Sequence, residues 1–303
     1  MSNEIKPLSE ARLKHLKKVL KKNKKMLLQF VGVREVGIGF KFSGNELINT
    51  PCITVFVVKK HDAKELDDTQ VIPSQIDGIP IDIIESNPKK HYTNPNSSFI
   101  ELEGGISISN PRLNLAGTMG CIVYDNELDF PMGLTNFHVV FASAGIFRTI
   151  GKVNDSIVQP ALLPANSNNT IGLLSRGSSK TDSAVIRMTA RSIKSKMING
   201  FDAPIHSEIE PLLGGLVKKS GAATGITYGT IVSITSSTIV VHPNRAKQPT
   251  GRISDSGDSG SLWVTDDQQQ NAVALHWGGE HTPYEFSHAV PIKQVLKSLN
   301  VHF

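Results

Sequence analysis

Three short stretches of this sequence carry residues that could do chemistry together. Gly257-Asp258-Ser259-Gly260 sets a serine among small residues. A serine hydroxyl is a weak nucleophile until a neighbouring base removes its proton. The attack also builds charge on an oxygen, and donors must be aimed at that charge. A glycine two residues before the serine lets the backbone turn so that the N–H groups of Gly257 and Ser259 converge. Gly133-Leu134-Thr135-Asn136-Phe137-His138-Val139-Val140 places His138 after an apolar, strand-like lead. An imidazole can take up and return a proton near neutral pH. Thr181-Asp182-Ser183-Ala184-Val185-Ile186 puts Asp182 at the mouth of an apolar strand. Each stretch alone has an ordinary explanation: a turn, a structural histidine, a strand terminator. Together they run in the order His, Asp, Ser, separated by 44 and 77 residues. Ser256 is a rival nucleophile, because Ser254-Asp255-Ser256-Gly257 half repeats the motif. It lacks a glycine two residues before it, which favours Ser259.

Elements must hold these residues in place. From residue 104 onward the chain reads as short strands punctuated by Gly, Asn and Pro. Gly120–Tyr124, Ser183–Met188, Gly229–Ile234, Thr238–His242, Ser261–Val264 and Ala272–Trp277 are examples. Short strands at this spacing predict an all-β sandwich or barrel. In this part only Pro291–Asn300 reads as helix. Before it, Ser86-Asn87-Pro88, Asn94-Pro95-Asn96 and Asn110-Pro111 form a linker-like stretch, which predicts a domain boundary near residue 100. Residues 30–100 read as a small α+β unit. Val33–Phe42 and Pro51–Lys59 are strands joined through Gly44-Asn45, Asp62–Gln75 is a polar connection, and Ile79–Ile84 is a third strand.

Residues 8–28 read as a basic helix. Leu13, Leu16, Val19, Leu20 and Leu27 fall at helical spacing, and Lys14, Lys17, Lys18, Lys21, Lys22, Lys24 and Lys25 fill most of the rest. Residues 1–29 are thus expected to be a basic helical arm. It would be docked by its leucine stripe, or would meet a regulatory partner or an anionic surface. The net charge of +5 reduces to this arm: residues 1–30 carry +7 and the remainder −2. No aromatic residue is interleaved with the lysines, which argues against single-stranded nucleic acid.

At this point the sequence resembles a family, the trypsin-like serine peptidases of the chymotrypsin fold, over about residues 104–303. Leu134-Thr135-Asn136-Phe137-His138 resembles the family's histidine motif, Asp182 its aspartate motif, and Gly257-Asp258-Ser259-Gly260 its serine motif. Asn154–Pro160 and the hairpin Val217–Gly229 resemble pieces of an intracellular bacterial branch, as does the small preceding domain. The resemblance implies two six-stranded antiparallel β-barrels as a peptidase domain at 101–303. The basic helix and the small α+β domain would precede them. It implies a serine endopeptidase in which Ser259 attacks the scissile carbonyl. His138 exchanges the proton, Asp182 orients the imidazole, and the N–H groups of Gly257 and Ser259 form the oxyanion hole. Ala274–Gly279 resembles the strand that pairs with substrate, making His276, Trp277 and Gly278 candidate substrate-binding residues. The position six residues before the serine is Ile253, not an acid, although a gap would bring Asp255 into register.

Other classes recede. At 303 residues, with 39% hydrophobic residues and 25 glycines, the chain has the composition of a globular protein with a packed core. No apolar run approaches the roughly 18–20 residues of a spanning helix, and no secretory signal is visible. Cys52 and Cys121 alone, both in apolar runs, are expected as buried free thiols in a reducing, cytoplasmic setting. His276, Glu280 and His281 lack a third strong ligand at helpful spacing, so neither metal nor cofactor is expected. Protein or peptide substrate is the expected partner. Two alternatives stand beside the active peptidase: a catalytically silent binding or scaffold protein on the same fold, and an effector held inactive by residues 1–100.

Overall fold

The computed structural model describes residues 5–44, 46–61, 70–86, 98–141, 150–166, 168–189, 192–249, 251–281 and 285–303. Asn45, most of the Asp62–Gln75 connection, and Asn87, Pro88 and Asn94-Pro95-Asn96 of the expected linker lie outside those residues.

The lysine-rich segment forms α1, Glu10–Leu27. The Ser9 hydroxyl caps it, accepting from the Arg12 N–H at 3.4 Å. Glu10 in the first turn and Lys24 and Lys25 in the last complement the helix dipole. Leu13, Leu16, Val19 and Leu27 are buried, while Lys22 reaches outward to Asp77 at 3.0 Å. The leucine stripe therefore docks the helix and the lysines face solvent. Beneath it lie β1 (Val33–Ser43) and β2 (Glu46–Val57), an antiparallel pair. The short β3 (Gln75–Ile76) is antiparallel to β4 (Ile79–Glu85), which runs parallel to β2.

The middle of the chain supplies β5 (Leu102–Gly104), β6 (Ile106–Ile108), β7 (Gly117–Met119), β8 (Cys121–Asp125) and β9 (Pro131–Thr135). The one-turn helix α2 (Phe137–Val140) follows, then β10 (Ser156–Val158), β11 (Thr170–Ser178), β12 (Ser183–Met188) and β13 (Ile193–Ile198). The last third supplies β14 (Leu216–Gly221), β15 (Gly225–Ile234), β16 (Ile239–Pro243), β17 (Leu262–Thr265), β18 (Ala272–Glu280) and β19 (Phe286–Pro291). It ends in α3 (Ile292–Leu299) and β20 (Val301–His302).

These strands make two systems. The C-terminal one is a closed antiparallel barrel, β14-β17-β18-β19-β16-β15, shut by pairing of β14 with β15. The other is a six-stranded antiparallel sheet, β10-β11-β12-β9-β8-β20. Beside it lie two short ladders, β5 with β13 and β6 with β7. So the chain is mainly β, with a helix and a small sheet at its N-terminus. One difference concerns α2. Its four residues are too few to show a helical repeat, so the sequence places His138 only after a strand-like lead and predicts no helix there.

The small sheet is not separate from the barrel. Ile38 and Gly39 of β1 pair with Ile234 and Ser233 of β15. A side chain at Gly39 would drive into the Val232 carbonyl and the Thr54 hydroxyl, so glycine is what permits this approach. One core then joins Leu16 of α1, Ile38 and Val55 of the small sheet, and Ile231 and Trp263 of the barrel. Both cysteines are buried free thiols, and burial pushes the Cys52 thiol up to about 12. Among the described residues, no helix is long and apolar enough to cross a membrane.

Because α1 and the barrel share a core, Leu16→Ala should cost about 2–5 kcal/mol. Thermal melting followed by far-ultraviolet circular dichroism and by tryptophan fluorescence should give one coincident transition, with no early step confined to the helix.

Candidate active site

His138 is held by its place in the fold. β9 ends at Thr135, Asn136 stands at the N-cap position of α2 with its side chain turned to Asp182, and His138 lies in that single turn. Asp182 sits just before β12, which pairs with β9, so the two side chains meet across one ladder. Asp182 has φ +43°, in the left-handed region that few residues other than glycine enter without strain. That conformation is clamped from three sides. The Asn136 side-chain amide donates to the Asp182 carbonyl at 2.6 Å. One carboxylate oxygen accepts from the His138 backbone N–H at 3.0 Å. The other lies 2.7 Å from His138 Nδ1. The last contact places the imidazole proton on Nδ1 and leaves Nε2 as the basic nitrogen.

Ser259 lies in a turn bounded by Gly257 (φ +103°) and Gly260 (φ +97°). Both φ values suit glycine. At Gly260 any side chain would also strike the Thr118 carbonyl. Thr118 of β7 grips this turn from both sides of the serine. Its hydroxyl donates to the Gly257 carbonyl at 2.7 Å, and its N–H donates to the Ser259 carbonyl at 2.7 Å. The Thr118 carbonyl in turn accepts from the Thr135 hydroxyl at 2.8 Å, three residues before His138. β7 thus ties the serine turn to the histidine strand, and a side chain at Gly117 would strike both Val139 and the Ser259 carbonyl. The Ser259 hydroxyl donates to the Trp277 carbonyl at 3.2 Å. Ser259 and His138 are both buried, at 0% and 2% exposure.

Below the turn is a buried ion pair that the sequence reading did not single out. Asp258, wholly buried, accepts from Lys219 Nζ at 2.8 Å and from the Thr224 hydroxyl at 2.6 Å. It also accepts from the backbone N–H groups of Ala223 (3.0 Å), Thr224 (3.1 Å) and Asp255 (3.1 Å). Burial alone would raise this carboxyl, but Lys219 and the converging donors hold it below the ordinary carboxylate value. Burial pulls the Lys219 ammonium down, and Asp258 opposes that pull. A signal did exist. On β14 Val217 and Lys219 are both buried, so the alternation of the strand carries Lys219 inward.

The expected substrate strip divides. Trp277 is half-buried and its carbonyl meets the Ser259 hydroxyl. His276 departs from the expectation. Its side chain is fully buried, with Nδ1 2.8 Å from the Ser287 hydroxyl. Successive side chains on a strand face opposite ways, so Trp277 turning outward sends His276 into the barrel. The His276 backbone is also engaged, accepting from Gly260 N–H and donating to the Ser261 carbonyl. Gly278 pairs with His288 of β19. Ile253 belongs to the barrel core, and the Asp255 carboxylate lies 2.7 Å from Arg252. Glu280 pairs with His288 at 3.2 Å and accepts from the Ser86 hydroxyl at 2.9 Å, away from His276. Ser256 lies in the preceding turn, its N–H on the Asp255 carboxylate at 2.8 Å.

Residues 11–83 match the family model described as NARROW LEAF 1 N-terminal domain. No curated protein matches the chain. The solved structures that match are trypsin- and chymotrypsin-like serine proteases. Thermobifida fusca Protease A is 17% identical with a TM-score of 0.47, over 67% of this chain and 97% of that one. Nocardiopsis Protease is 16% identical with a TM-score of 0.48, over 67% and 98%. The Cellulomonas bogoriensis chymotrypsin is 17% identical with a TM-score of 0.48, again over 67% and 98%.

Removing Lys219 should strand a buried carboxylate. Lys219→Met should cost about 3–5 kcal/mol at pH 7. In the wild type the depressed Asp258 pKa contributes stability above the ordinary carboxylate range, and that contribution fades as pH falls through the folded value. In the variant, protonation relieves the stranded charge. Urea unfolding of both proteins should therefore show a stability gap that is widest at pH 7 and narrows towards acid.

Proposed function

We propose that the chain is a serine endopeptidase that cuts protein or peptide substrates through an acyl-enzyme. The observation that carries this reading is the two-point clamp of Asp182 on His138, both on its ring and on its backbone. Through Thr118 and Thr135 it is tied to the turn of a serine set between two positive-φ glycines. A structural histidine needs no carboxylate fixing its tautomer, and a plain turn needs no glycine on each side of its serine.

In this mechanism His138 Nε2 takes the Ser259 proton as Oγ bonds to the scissile carbonyl carbon. The electron pair moves to the carbonyl oxygen, where the N–H groups of Gly257 and Ser259 receive it. The tetrahedral species collapses, the C–N bond breaks, and His138 returns the proton to the leaving amine. Water then attacks the acyl-enzyme by the same route, regenerating Ser259 and releasing the acid. Asp182 stabilises the imidazolium throughout and keeps its own proton-free state.

A second reading, of an effector regulated by its N-terminal region, has its own observation. Ser259 is fully buried and its hydroxyl rests on the Trp277 carbonyl. Catalysis in this reading begins with an opening movement at Trp277. Ser86, at the end of the small N-terminal unit, touches Glu280 on the same strand.

The test is covalent labelling of the pure protein with a phosphonate or sulfonyl fluoride probe. Wild type should label at one serine, and Ser259→Ala should not. Equal labelling of the two would remove the peptidase reading. Asp182→Asn, which disturbs the tautomer and leaves the shape intact, should slow labelling and peptide cleavage by about 10⁴-fold.

A further inference from the structure

We infer that the outer face of α1 docks the protein on an anionic lipid surface. The inference does not rest on the peptidase reading. Lys14, Lys18, Lys21 and Lys25 recur at helical spacing and so form one stripe along α1. At the helical rise the stripe is about 16 Å long. It lies opposite Leu13, Leu16, Val19 and Leu27, the buried residues that hold the helix to the core. All four lysines are exposed, as is Lys17 beside them.

The carboxylates near this face are engaged elsewhere or make no bond to the stripe. Asp77 takes Lys22 at 3.0 Å, off the stripe. Glu35 of β1 accepts from the Thr235 and Ser237 hydroxyls. Lys24 is turned to the Ser236 hydroxyl at 2.8 Å. Glu10 is the only acidic residue of α1. Among the described residues, neither it nor Glu46 at the β1–β2 turn bonds a lysine of the stripe, and Lys14, Lys17, Lys18, Lys21 and Lys25 make no ion pair or hydrogen bond. Asp62, Glu65, Asp67 and Asp68 lie outside the described residues, so binding has to be read on the full chain, where they compete if they can reach. Like charges at this spacing repel, and the helix by itself gains nothing from the stripe. Residues 31–303 carry −2, so an anionic surface selects the helix over the rest of the chain.

The kind of charge, and what lies beside it, favour lipid. A lysine ammonium is a flexible, strongly hydrated point charge, whereas fixed recognition of phosphate or carboxylate favours arginine. Arg12 is the only arginine of α1. Lysine is also depleted in protein–protein interfaces. Headgroups in a bilayer move to meet such charges, and every lysine held near an anionic leaflet adds to the attraction. The C-terminal end of the helix supplies an apolar contact. Met26, Leu28 and Val31 are exposed there, at 39%, 39% and 76%. Apolar side chains beside a basic helix face can enter the headgroup layer, whereas a phosphodiester backbone offers them nothing. No aromatic residue lies within α1 to stack on bases.

The experiment sediments the full chain with phosphatidylcholine vesicles, with and without phosphatidylserine. Wild type should bind only the vesicles that contain phosphatidylserine, and high salt should release it. Lys18→Gln with Lys21→Gln should weaken that binding about thirtyfold. Lys152→Gln with Lys180→Gln removes the same charge from exposed sites off the helix and should leave it unchanged. Val31→Ser, which trims the apolar contact, should weaken it about threefold. The inference is overturned by no binding of wild type to phosphatidylserine vesicles at low salt, or by equal weakening from the two lysine pairs. It is also overturned if Val31→Ser binds vesicles as wild type does, or if a duplex oligonucleotide binds wild type more tightly than the vesicles at the same salt. Glutamine is nearly as good a helix former as lysine, and melting curves check that each variant folds. The vesicle and duplex comparisons on wild type stand without any variant.

Discussion

Much of the site's geometry depends on one buried carboxylate. Asp258 gathers five donors from three places: the β14 lysine, the turn between β14 and β15, and the start of its own loop. A buried ion pair is seldom the most stable choice, since apolar residues of similar volume often serve as well or better. What an apolar pair lacks is direction. Each Asp258 hydrogen bond fixes a backbone amide or a side-chain donor, and the fixed segment runs directly into Ser259. The carboxylate therefore sets the path of the chain through Gly257, Asp258 and Ser259. Thr118 finishes the work from the opposite side by holding the carbonyls of Gly257 and Ser259. Those two bonds fix the peptide planes on either side of the Asp258–Ser259 link, and the Asp258 carbonyl, accepting from the Ser261 N–H at 2.9 Å, fixes the plane that carries the Ser259 N–H. Preorganised donors of this kind are what a developing oxyanion requires.

The N-terminal unit bears on the same barrel. By pairing with β15, β1 continues the barrel's hydrogen-bonded strands into a sheet that runs on through β2 to β4. α1 then covers apolar surface to which both contribute. The basic charge that dominates the composition is thereby assigned. The leucine face is spent on packing, and the lysine face is presented to solvent. Part of it, at Lys24, borders a cavity shared with Trp277. A helix read from sequence as an arm is, in the fold, a wall.

Much of this was legible in the sequence, for identifiable reasons. Strands such as Ser183–Met188 and the helix at Glu10–Leu27 show because their apolar residues repeat at the period of the element. His138, Asp182 and Ser259 stood out because reactive side chains sat beside glycines and apolar strands in a recurring order. The Lys219–Asp258 pair was not read, since a lysine in a strand looks like a solvated residue until its neighbours' alternation is counted. The holding roles of Thr118, Thr135 and Asn136 were missed for a different reason. Their contributions are hydrogen bonds between segments far apart in the chain, which no local pattern records. His276 was assigned to the substrate strip by its neighbours, and the pleat of β18 turned it the other way.

Ser259 is buried, while the proposed reading needs it reached by substrate, and the two requirements meet at Trp277, whose carbonyl accepts its hydroxyl. The Ser259 turn is set by Asp258 and Thr118, whose hydrogen bonds run to β14, the β14–β15 turn, β9 and the turn itself. The cover over Ser259 includes the Trp277 carbonyl, on a strand whose far end meets the N-terminal unit through Glu280 and Ser86. Opening that cover need not disturb the donors beneath it. Under the proposed peptidase reading, a fixed floor and a separate cover would keep the catalytic geometry formed while access is decided at Trp277.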